Sequence, residues 1–236
     1  MSEPVITFCI EQIIPPEYLP IARETAIAEN PANASPFEAA AERSKLWKPG
    51  RTVRVRFLDG TAEAHALVER YARQWCDHAN IHFDFGDHAH AEIRISFSRG
   101  GSWSAVGTDA LMTAVFPAHA PTMNFGWRDE AVVLHEFGHA LGLIHEHQNP
   151  AQAIQWDEDA VIDYLSGPPN YWPESRTRAN VFERYAAEQT QFSAFDPASI
   201  MLYYFPAEFT RNRQPFAQNK VLSAQDTRFI AECYPK

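Results

Sequence analysis

Three histidines and a glutamate in residues 135–145 have the types and spacing of a metal-dependent hydrolytic centre. The stretch reads H-E-x-x-H-x-x-G-x-x-H, with His135, Glu136, His139, Gly142 and His145 at its specified positions. On a helix, histidines four residues apart project from one face, so both imidazoles can bind one zinc ion. A glutamate beside the metal can accept a proton from water. The stretch therefore predicts a zinc site that activates water.

Gly142 predicts where this helix ends, because glycine adopts the left-handed conformation without a side-chain penalty. The chain can then turn and bring His145 to the metal as a third nitrogen ligand. Three neutral imidazoles leave a fourth position open on zinc, which is typical of a catalytic site. H-E-x-x-H alone is a weak signal, whereas the addition of Gly142 and His145 makes it specific. We expect one Zn²⁺ per chain; a helix of purely structural histidines is the weaker alternative.

Composition excludes several classes of partner. The 236 residues carry a net charge of −10 and no long cluster of Lys and Arg, so we expect neither nucleic-acid nor membrane binding. No apolar run is close to the length of about 18 residues that a transmembrane helix needs. The N-terminus lacks the features of a secretory signal peptide. The location stays open between the cytoplasm and export by a non-classical route, and we expect a monomer.

Strand and helix signals alternate before the motif. Alternating or apolar runs predict strands at 52–58, 81–85, 91–97 and 122–127, with a further short strand at 105–108. Residues 62–79 have the apolar stripe of an amphipathic helix, and Asp129 is placed to cap the metal helix. Residues 100–104 are predicted to form a flexible loop. We expect an α+β fold whose N-terminal lobe, residues 46–142, has a twisted, mostly parallel sheet and two long helices.

The rest of the chain has little strand signal. Helices are predicted at 157–165, at 178–189 and after Ser223, which opens a capping pattern. We therefore expect an irregular, helical C-terminal lobe at 143–236, with the zinc in the cleft between the lobes. Residues 1–45, with a strand at 5–14 and a helix at 17–29, are too short to bury their own core. They form an N-terminal extension to a catalytic domain at 46–236.

The chain has three cysteines, too few for a disulfide framework. Three buried thiols are favoured over a single disulfide bridge, which stays an alternative, since free cysteine is among the most buried residue types. As an alternative, Cys9 could bind the zinc as a thiolate in a latent form of the protein. Autoinhibition by the N-terminal segment is therefore left open.

The three-histidine motif resembles that of the metzincin clan of zinc endopeptidases. With Glu146 and His147, the motif continues as H-E-H, which is similar to the motif of the astacin group. The following Gln148 and Pro150 resemble the H-E-H-Q-x-P sequence of bacterial and fungal members of that group. A second match, S-x-M-x-Y, lies at residues 199–203. The resemblance covers residues 46–236. It implies a metzincin-like fold and a zinc metalloendopeptidase that acts on protein or peptide substrates with Glu136 as general base.

The resemblance also implies roles for residues outside the helix. Met201 would be the structural floor of the zinc site, and Tyr203 a reversible fifth metal ligand whose hydroxyl shares the oxyanion charge. From spacing alone, Tyr203 could equally be a core aromatic. Two positions depart from the family: Leu202 replaces a histidine, and Glu146, which in secreted astacins holds the trimmed N-terminus, here follows an untrimmed segment. His147 is expected to be a supporting or surface residue, since three histidines already satisfy zinc.

Substrate could pair with the strand at 122–127 through its backbone, with residues 100–104 bordering the cleft. A strand at this position could instead be paired within the sheet. Two other functions stay open. One is a catalytically latent zinc-binding interaction protein, and the other is an exported effector or toxin protease with a narrow protein target.

Overall fold

The computed structural model describes residues 8–10, 12–34, 45–98, 100–168, 170–184 and 194–236. In this part of the chain, strands are confined to residues before the metal motif, and helices occur throughout. No helix among these residues has the length and apolar character needed to cross a membrane. The architecture is α+β, as the sequence predicts.

A five-stranded sheet forms the base of the N-terminal lobe. Its strands are β1 (Thr52–Phe57), β2 (His82–Phe85), β3 (Ile93–Ser96), β4 (Trp103–Ser104) and β5 (Met123–Asn124). Their order is β2-β1-β3-β5-β4, and only the β4–β5 pair is antiparallel. The prediction of a mostly parallel sheet is confirmed. β3 is buried along its whole length, as expected of a strand covered on both faces, whereas β1 buries Val53 and Val55 on one face only.

At the edge of this sheet one prediction is wrong, and one open alternative is decided. The short strand lies at β4 and not at 105–108, where the chain enters a 3₁₀-helix, Gly107–Leu111. The strand at 122–127 is reduced to β5, which has neighbours on both sides, so β4 is the edge. The loop before β4 is held in place because Asn124 Nδ2 donates to the carbonyls of Ser98 and Gly101, at 3.0 and 2.6 Å. That amide was not recognised from sequence.

Four helices pack with the sheet around the same apolar core. They are α1 (Leu19–Glu29), α2 (Ala62–His78), α3 (Glu130–Ala140), which carries the metal motif, and α6 (Ala224–Cys233). The stripe of α2 buries Val68, Ala72 and Trp75 against α3, and Trp75 Nε1 donates to Leu134 O at 3.0 Å. Sheet and helices share one apolar core.

The C-terminal lobe has a second apolar core. Its helices are α4 (Glu158–Ser166), capped by Asp157, and α5 (Glu174–Thr177), which continues as a π-helical turn, Arg178–Phe182. The helix predicted at 178–189 ends at Phe182 in the structure, and residues 185–189 lie outside the described part. The capping box at Ser223 is confirmed. The proposed division of the domain at residue 142 stays a prediction.

The N-terminal segment contributes to both cores. Ile14 and Ala22 join the core under the sheet, while Phe8 and Cys9 join the core of the C-terminal lobe. The strand predicted at 5–14 is absent from its described residues, 8–10 and 12–14, and the predicted helix is present as a 3₁₀ turn, Pro16–Tyr18, followed by α1. Of the three thiols, Cys9 and Cys233 are buried and Cys76 is half-buried.

The C-terminal end of the metal helix is tied down by two residues distant in sequence. Trp47 Nε1 donates to the carbonyl of Ala140 at 2.8 Å, and the Tyr234 hydroxyl donates to that of Leu141 at 2.7 Å. Both aromatic side chains are fully buried. They satisfy carbonyls that have no partner inside the helix.

We expect Trp47→Phe to lower the free energy of unfolding by about 1–3 kcal/mol, because it leaves the buried Ala140 carbonyl without its donor. The measurement is urea denaturation of the zinc-loaded protein. Tyr171→Phe, which alters an exposed side chain, is the matched control and should not change the midpoint. An unchanged midpoint for Trp47→Phe would contradict this role.

Candidate metal and catalytic site

The metal motif lies on a helix with a well-defined beginning. Asp129 caps α3 by accepting a hydrogen bond from Val132 N at 2.9 Å, as its sequence position predicts. The 3.6-residue repeat then places His135 and His139 on one face, with their Nε2 atoms 3.1 Å apart. Glu136, next to His135 in sequence, is completely buried.

Gly142 ends the helix in the way the sequence predicts. Its φ is +92°, and its N–H donates to His139 O at 2.8 Å, while Leu143 N donates to Gly138 O at 3.0 Å. This pair of bonds is a Schellman motif, which requires the left-handed conformation at Gly142. The turn has two consequences for the site. It places the Leu143 carbonyl 2.8 Å from His139 Nδ1, and it returns the chain so that His145 Nε2 lies 3.0 Å from His139 Nε2.

The three imidazoles present lone pairs to one point. The Nδ1 atoms of His135 and His139 face the carbonyls of Ile200 and Leu143, which can only accept hydrogen bonds. Each Nδ1 therefore carries the proton, and each Nε2 is unprotonated in the neutral ring. Burial supports the neutral form: it lowers the pKa of His135 to about 4 and that of His139 well below its usual value.

His145 is held in the same tautomer by a different hydrogen-bond partner. Its Nδ1 lies 3.1 Å from Gln148 Oε1, and the Gln148 amide is oriented because its Nε2 donates to the Ala179 carbonyl at 3.0 Å. Burial also lowers the pKa of His145 well below its usual value. Unprotonated nitrogens repel at such short distances unless a cation lies between them. Three histidines held in this way fit zinc, and Gln148, which the sequence singled out only by resemblance and without a role, orients His145.

Cys9 completes a group of four donor atoms. Its Sγ lies 3.5 Å from His139 Nε2 and 3.3 Å from His145 Nε2, and the four candidate ligand atoms all lie within 4.8 Å of one another. Around tetrahedral zinc, neighbouring nitrogens would be roughly 3.3 Å apart and sulfur and nitrogen roughly 3.6 Å apart. The arrangement fits a four-coordinate site. The sequence offered Cys9 only as the less favoured alternative.

The carboxylate of Glu136 has no partner of good geometry. Among the described residues, neither oxygen has a hydrogen bond. Burial raises the pKa of Glu136 well above its usual value, an effect that the nearby Cys9 thiol only partly opposes. A cavity of about 90 Å³ adjoins His135 and Glu136, which is room for several water molecules. A buried, unpartnered carboxylate facing such a space is suited to exchange protons with water.

The segment at 199–203 forms the floor of the site. A Cβ at Gly138 would overlap Met201 Sδ, so the absence of a side chain at Gly138 allows Met201 to pack directly beneath the metal helix. Asp226, at the start of α6, accepts hydrogen bonds from Ser199 Oγ at 2.7 Å and from Ile200 N at 2.8 Å. Since the Ile200 carbonyl orients His135, this clamp reaches the metal ligands through one intervening residue.

Tyr203 extends from this floor to the ligand atoms. Its hydroxyl donates to the carbonyl of Cys9 at 2.8 Å, and its oxygen lies 2.6 Å from His145 Nε2. Because the Cys9 carbonyl can only accept, the hydroxyl hydrogen points to it and an oxygen lone pair faces the unprotonated nitrogen. The structure thus places Tyr203 with the histidines, within reach of a shared cation.

Other residues singled out in the sequence lie around the centre. His147 is fully buried and not on the surface: its Nε2 lies 2.8 Å from the Asn180 carbonyl, and burial lowers its pKa to about 3. Glu146 accepts hydrogen bonds from Asp196 N at 2.8 Å and Asn149 Nδ2 at 3.0 Å. Burial raises the pKa of Glu146 to about 7 against these bonds.

The edge strand that faces the N-terminal segment is β4. Ser102, just before it, accepts a hydrogen bond from Ile10 N at 3.1 Å through its backbone carbonyl. The edge available to an extended chain is therefore β4 and the residues before it, and not the strand at 122–127 that the sequence indicated.

Comparison with known proteins agrees with this geometry. The family model Astacin, which represents a family of peptidases, matches residues 39–228. One structure of myroilysin is 42% identical over 82% of this chain and 97% of its own, with a TM-score of 0.79. A crystal structure of myroilysin is 37% identical over 97% of this chain and 100% of its own, with a TM-score of 0.63.

A more distant structure shares the fold. High choriolytic enzyme 1, a hatching enzyme zinc-protease from Oryzias latipes (Medaka fish), is 19% identical over 81% of this chain and 94% of its own, with a TM-score of 0.58. No functionally curated protein matches the chain.

We expect Asp226→Ala to weaken zinc binding about 10- to 100-fold, because the Ile200 carbonyl loses the clamp that aims it at His135. Competition with a chromogenic chelator measures the affinity. Thr61→Ala is the matched control, because it also removes a helix cap, that of α2. It should lower the free energy of unfolding by about 0.5–2 kcal/mol and leave zinc affinity unchanged. Equal affinities for wild type and Asp226→Ala would exclude the clamp.

Proposed function

Because this chain belongs to the astacin family of peptidases and is a zinc metalloendopeptidase, we propose that Glu136 is the general base that activates water for peptide-bond hydrolysis. The observation that carries this proposal is the buried, unpartnered Glu136 carboxylate beside three converging imidazoles. Its substrates are proteins or peptides, as for the family.

Zinc would be held by the Nε2 atoms of His135, His139 and His145. When bound, it polarises water and a peptide carbonyl as a Lewis acid. The second layer of carbonyl and amide groups around the Nδ1 atoms keeps the three rings in the unprotonated, ligand-competent tautomer. We propose these three Nε2 atoms as the metal ligands of this chain.

Glu136 accepts the proton that the attacking water loses and passes it to the leaving amine. Burial raises the pKa of this carboxyl, which favours the double role because a carboxyl that holds a proton more readily can take it from water and then donate it. We assign Tyr203 to the oxyanion. Its hydroxyl already donates to a backbone carbonyl next to the metal ligands, that of Cys9, and would donate in the same way to the carbonyl under attack.

We further propose that the described conformation is a latent form in which Cys9 is the fourth zinc ligand. Three contacts support it: Sγ lies at tetrahedral distances from two ligand nitrogens, the Cys9 carbonyl occupies the Tyr203 hydroxyl, and Phe8 anchors the segment in the C-terminal core. A thiolate in the fourth position excludes the water that hydrolysis needs.

The first test replaces the base. In a Cys9→Ala background, Glu136→Gln should lower kcat by about 10²- to 10⁴-fold, the usual contribution of a general base. Zinc content, measured by mass spectrometry of the metal, should stay at one per chain and provides the control. Undiminished peptide cleavage by the Glu136→Gln chain would rule out this role.

The second test removes the thiol. Cys9→Ala should raise peptidase activity by at least about tenfold over the untrimmed wild type, which requires only ~1.4 kcal/mol of binding from the thiolate. Cleavage of a fluorogenic peptide by freshly purified protein is the measurement. Cys76→Ala, which alters a half-buried thiol outside the group of metal-binding candidates, is the matched control. Equal activity of all three proteins would contradict latency through Cys9.

These tests also separate the alternative functions. A Cys9→Ala chain that binds zinc but cleaves no peptide would indicate a zinc-binding interaction protein. Cleavage of a single protein and of no generic peptide would indicate a protease with a narrow target.

A further inference from the structure

We propose that the site of Phe8 is a substrate subsite for a large aromatic or apolar side chain, and that residues 8–10 occupy the cleft as an imitation of substrate. The inference rests on the proposed peptidase function and adds a substrate class to it. Nothing in the motif residues specifies this preference, since they hold the metal and move protons.

Phe8 fills a pocket made of aromatic rings. Its side chain is 3% exposed, and its ring centroid lies 4.8 Å from that of Tyr203, 5.7 Å from that of Phe205 and 5.9 Å from that of Trp172. Tilted aromatic rings at such distances attract beyond the effect of area alone. Since Tyr203 is both a wall of the pocket and the proposed oxyanion donor, a side chain in this pocket lies close to the reacting bond.

The backbone beside Phe8 makes the contacts that an extended substrate needs. The Cys9 carbonyl accepts from the Tyr203 hydroxyl at 2.8 Å, and Ile10 N donates to Ser102 O next to the edge strand β4 at 3.1 Å. Main-chain bonds to a sheet edge give affinity, and pockets for side chains give specificity. Three consecutive residues thus provide one pocket side chain, one polarised carbonyl and one edge-strand bond.

The wall at Trp172 is built by a strained turn. After α4, Tyr171 adopts a φ of +49°, an uncommon conformation for a residue with a bulky side chain. Trp172 N then donates to Leu165 O at 2.8 Å, and the Trp172 side chain is buried while that of Tyr171 is exposed. Such strain persists only where the surroundings compensate for it, often at ligand sites. Here the turn places the indole of Trp172 against Phe8, with the ring centroids 5.9 Å apart.

The chemistry of the pocket selects against charge. The rings that contact Phe8 are those of Trp172, Tyr203 and Phe205. The buried ring of His147 packs against two of them, with its centroid 4.6 Å from that of Tyr203 and 5.3 Å from that of Phe205. An acidic or basic side chain among these rings would lose its hydration without compensation. We therefore expect substrates with Phe, Tyr, Trp or Leu near the cleaved bond.

The substrate arm uses the full chain with Cys9→Ala and a peptide library whose cleavage sites are read by mass spectrometry. One position within two residues of the cleaved bond should favour Phe over Ala about 10- to 100-fold in kcat/KM, the value of burying one large apolar side chain. Trp172→Ala should reduce this ratio about tenfold. Tyr171→Asn should leave it unchanged, since asparagine tolerates the positive φ and the exposed side chain lies outside the pocket.

The segment arm uses the native Cys9 and does not depend on activity. In the zinc-loaded protein, modification of Cys9 by a thiol reagent, followed by peptide mapping, reports how often residues 8–10 leave the cleft. Phe8→Ala should accelerate modification about 10- to 100-fold and Phe8→Leu much less, because leucine refills most of the pocket. Thermal unfolding of each variant separates release of the segment from loss of the fold.

The outcomes of these two experiments show whether the proposed subsite or the proposed peptidase function fails. Cleavage without aromatic or apolar preference, or an unchanged preference in Trp172→Ala, would overturn the subsite and leave the peptidase function intact. Equal thiol modification of Phe8→Ala and wild type would also overturn it, because Phe8 would then not hold the segment. No cleavage by a zinc-loaded Cys9→Ala chain would refute the proposed function instead, and the segment arm would still decide whether Phe8 anchors residues 8–10.

Discussion

The convergence of three unprotonated imidazole nitrogens is the interaction on which the rest of the structure depends. Lone pairs on nitrogens 3.0–3.1 Å apart are unfavourable unless a cation binds them. Each ring is held in that tautomer by an acceptor from a different part of the chain: Ile200 of the floor, Leu143 of the helix end and Gln148 of the following turn. The fold therefore keeps these three hydrogen-bond acceptors in place, so that the three Nε2 atoms face one point.

That arrangement explains features that lie far from the metal. Trp47 and Tyr234 hold the last carbonyls of α3, which keeps the Schellman turn at Gly142 in position for Leu143 and His145. Asp226 holds the backbone of Ile200, whose carbonyl in turn orients His135. These contacts are buried, so each is a costly one to lose. Stability and metal binding share the same interactions here.

The N-terminal segment has a different relation to the site. Its α1 end packs with the core under the sheet, whereas residues 8–10 cross the metal site to the core of the C-terminal lobe. We interpret this path as inhibition by occupancy: the thiol, the carbonyl and the aromatic side chain take the places of water, substrate carbonyl and substrate side chain. In this proposal the pocket of Phe8 connects latency to specificity, because the segment that inhibits the site also imitates the substrate.

Much of the helix-level organisation could be predicted from sequence. The periodicity of 62–79 predicted α2, Asp129 and Ser223 predicted helix caps, and Gly142 predicted a left-handed helix end; all four are confirmed. These predictions succeeded because each depends on residues close together in the chain. No strand forms at 105–108 or among the described residues of 5–14, since a strand forms only where a partner edge is available and that is not a local property.

The sequence by itself determined the central residues of the candidate metal site, because His135, Glu136, His139, Gly142 and His145 lie on one helix and the turn that follows it, where local spacing sets most of the geometry. Only the tertiary structure decided what surrounds it. Cys9 is 130 residues from His139 in sequence, and Tyr203 is 58 residues from His145. No periodicity can report such distances, since they result from how two separate cores bring the N-terminal segment and the floor to the same point.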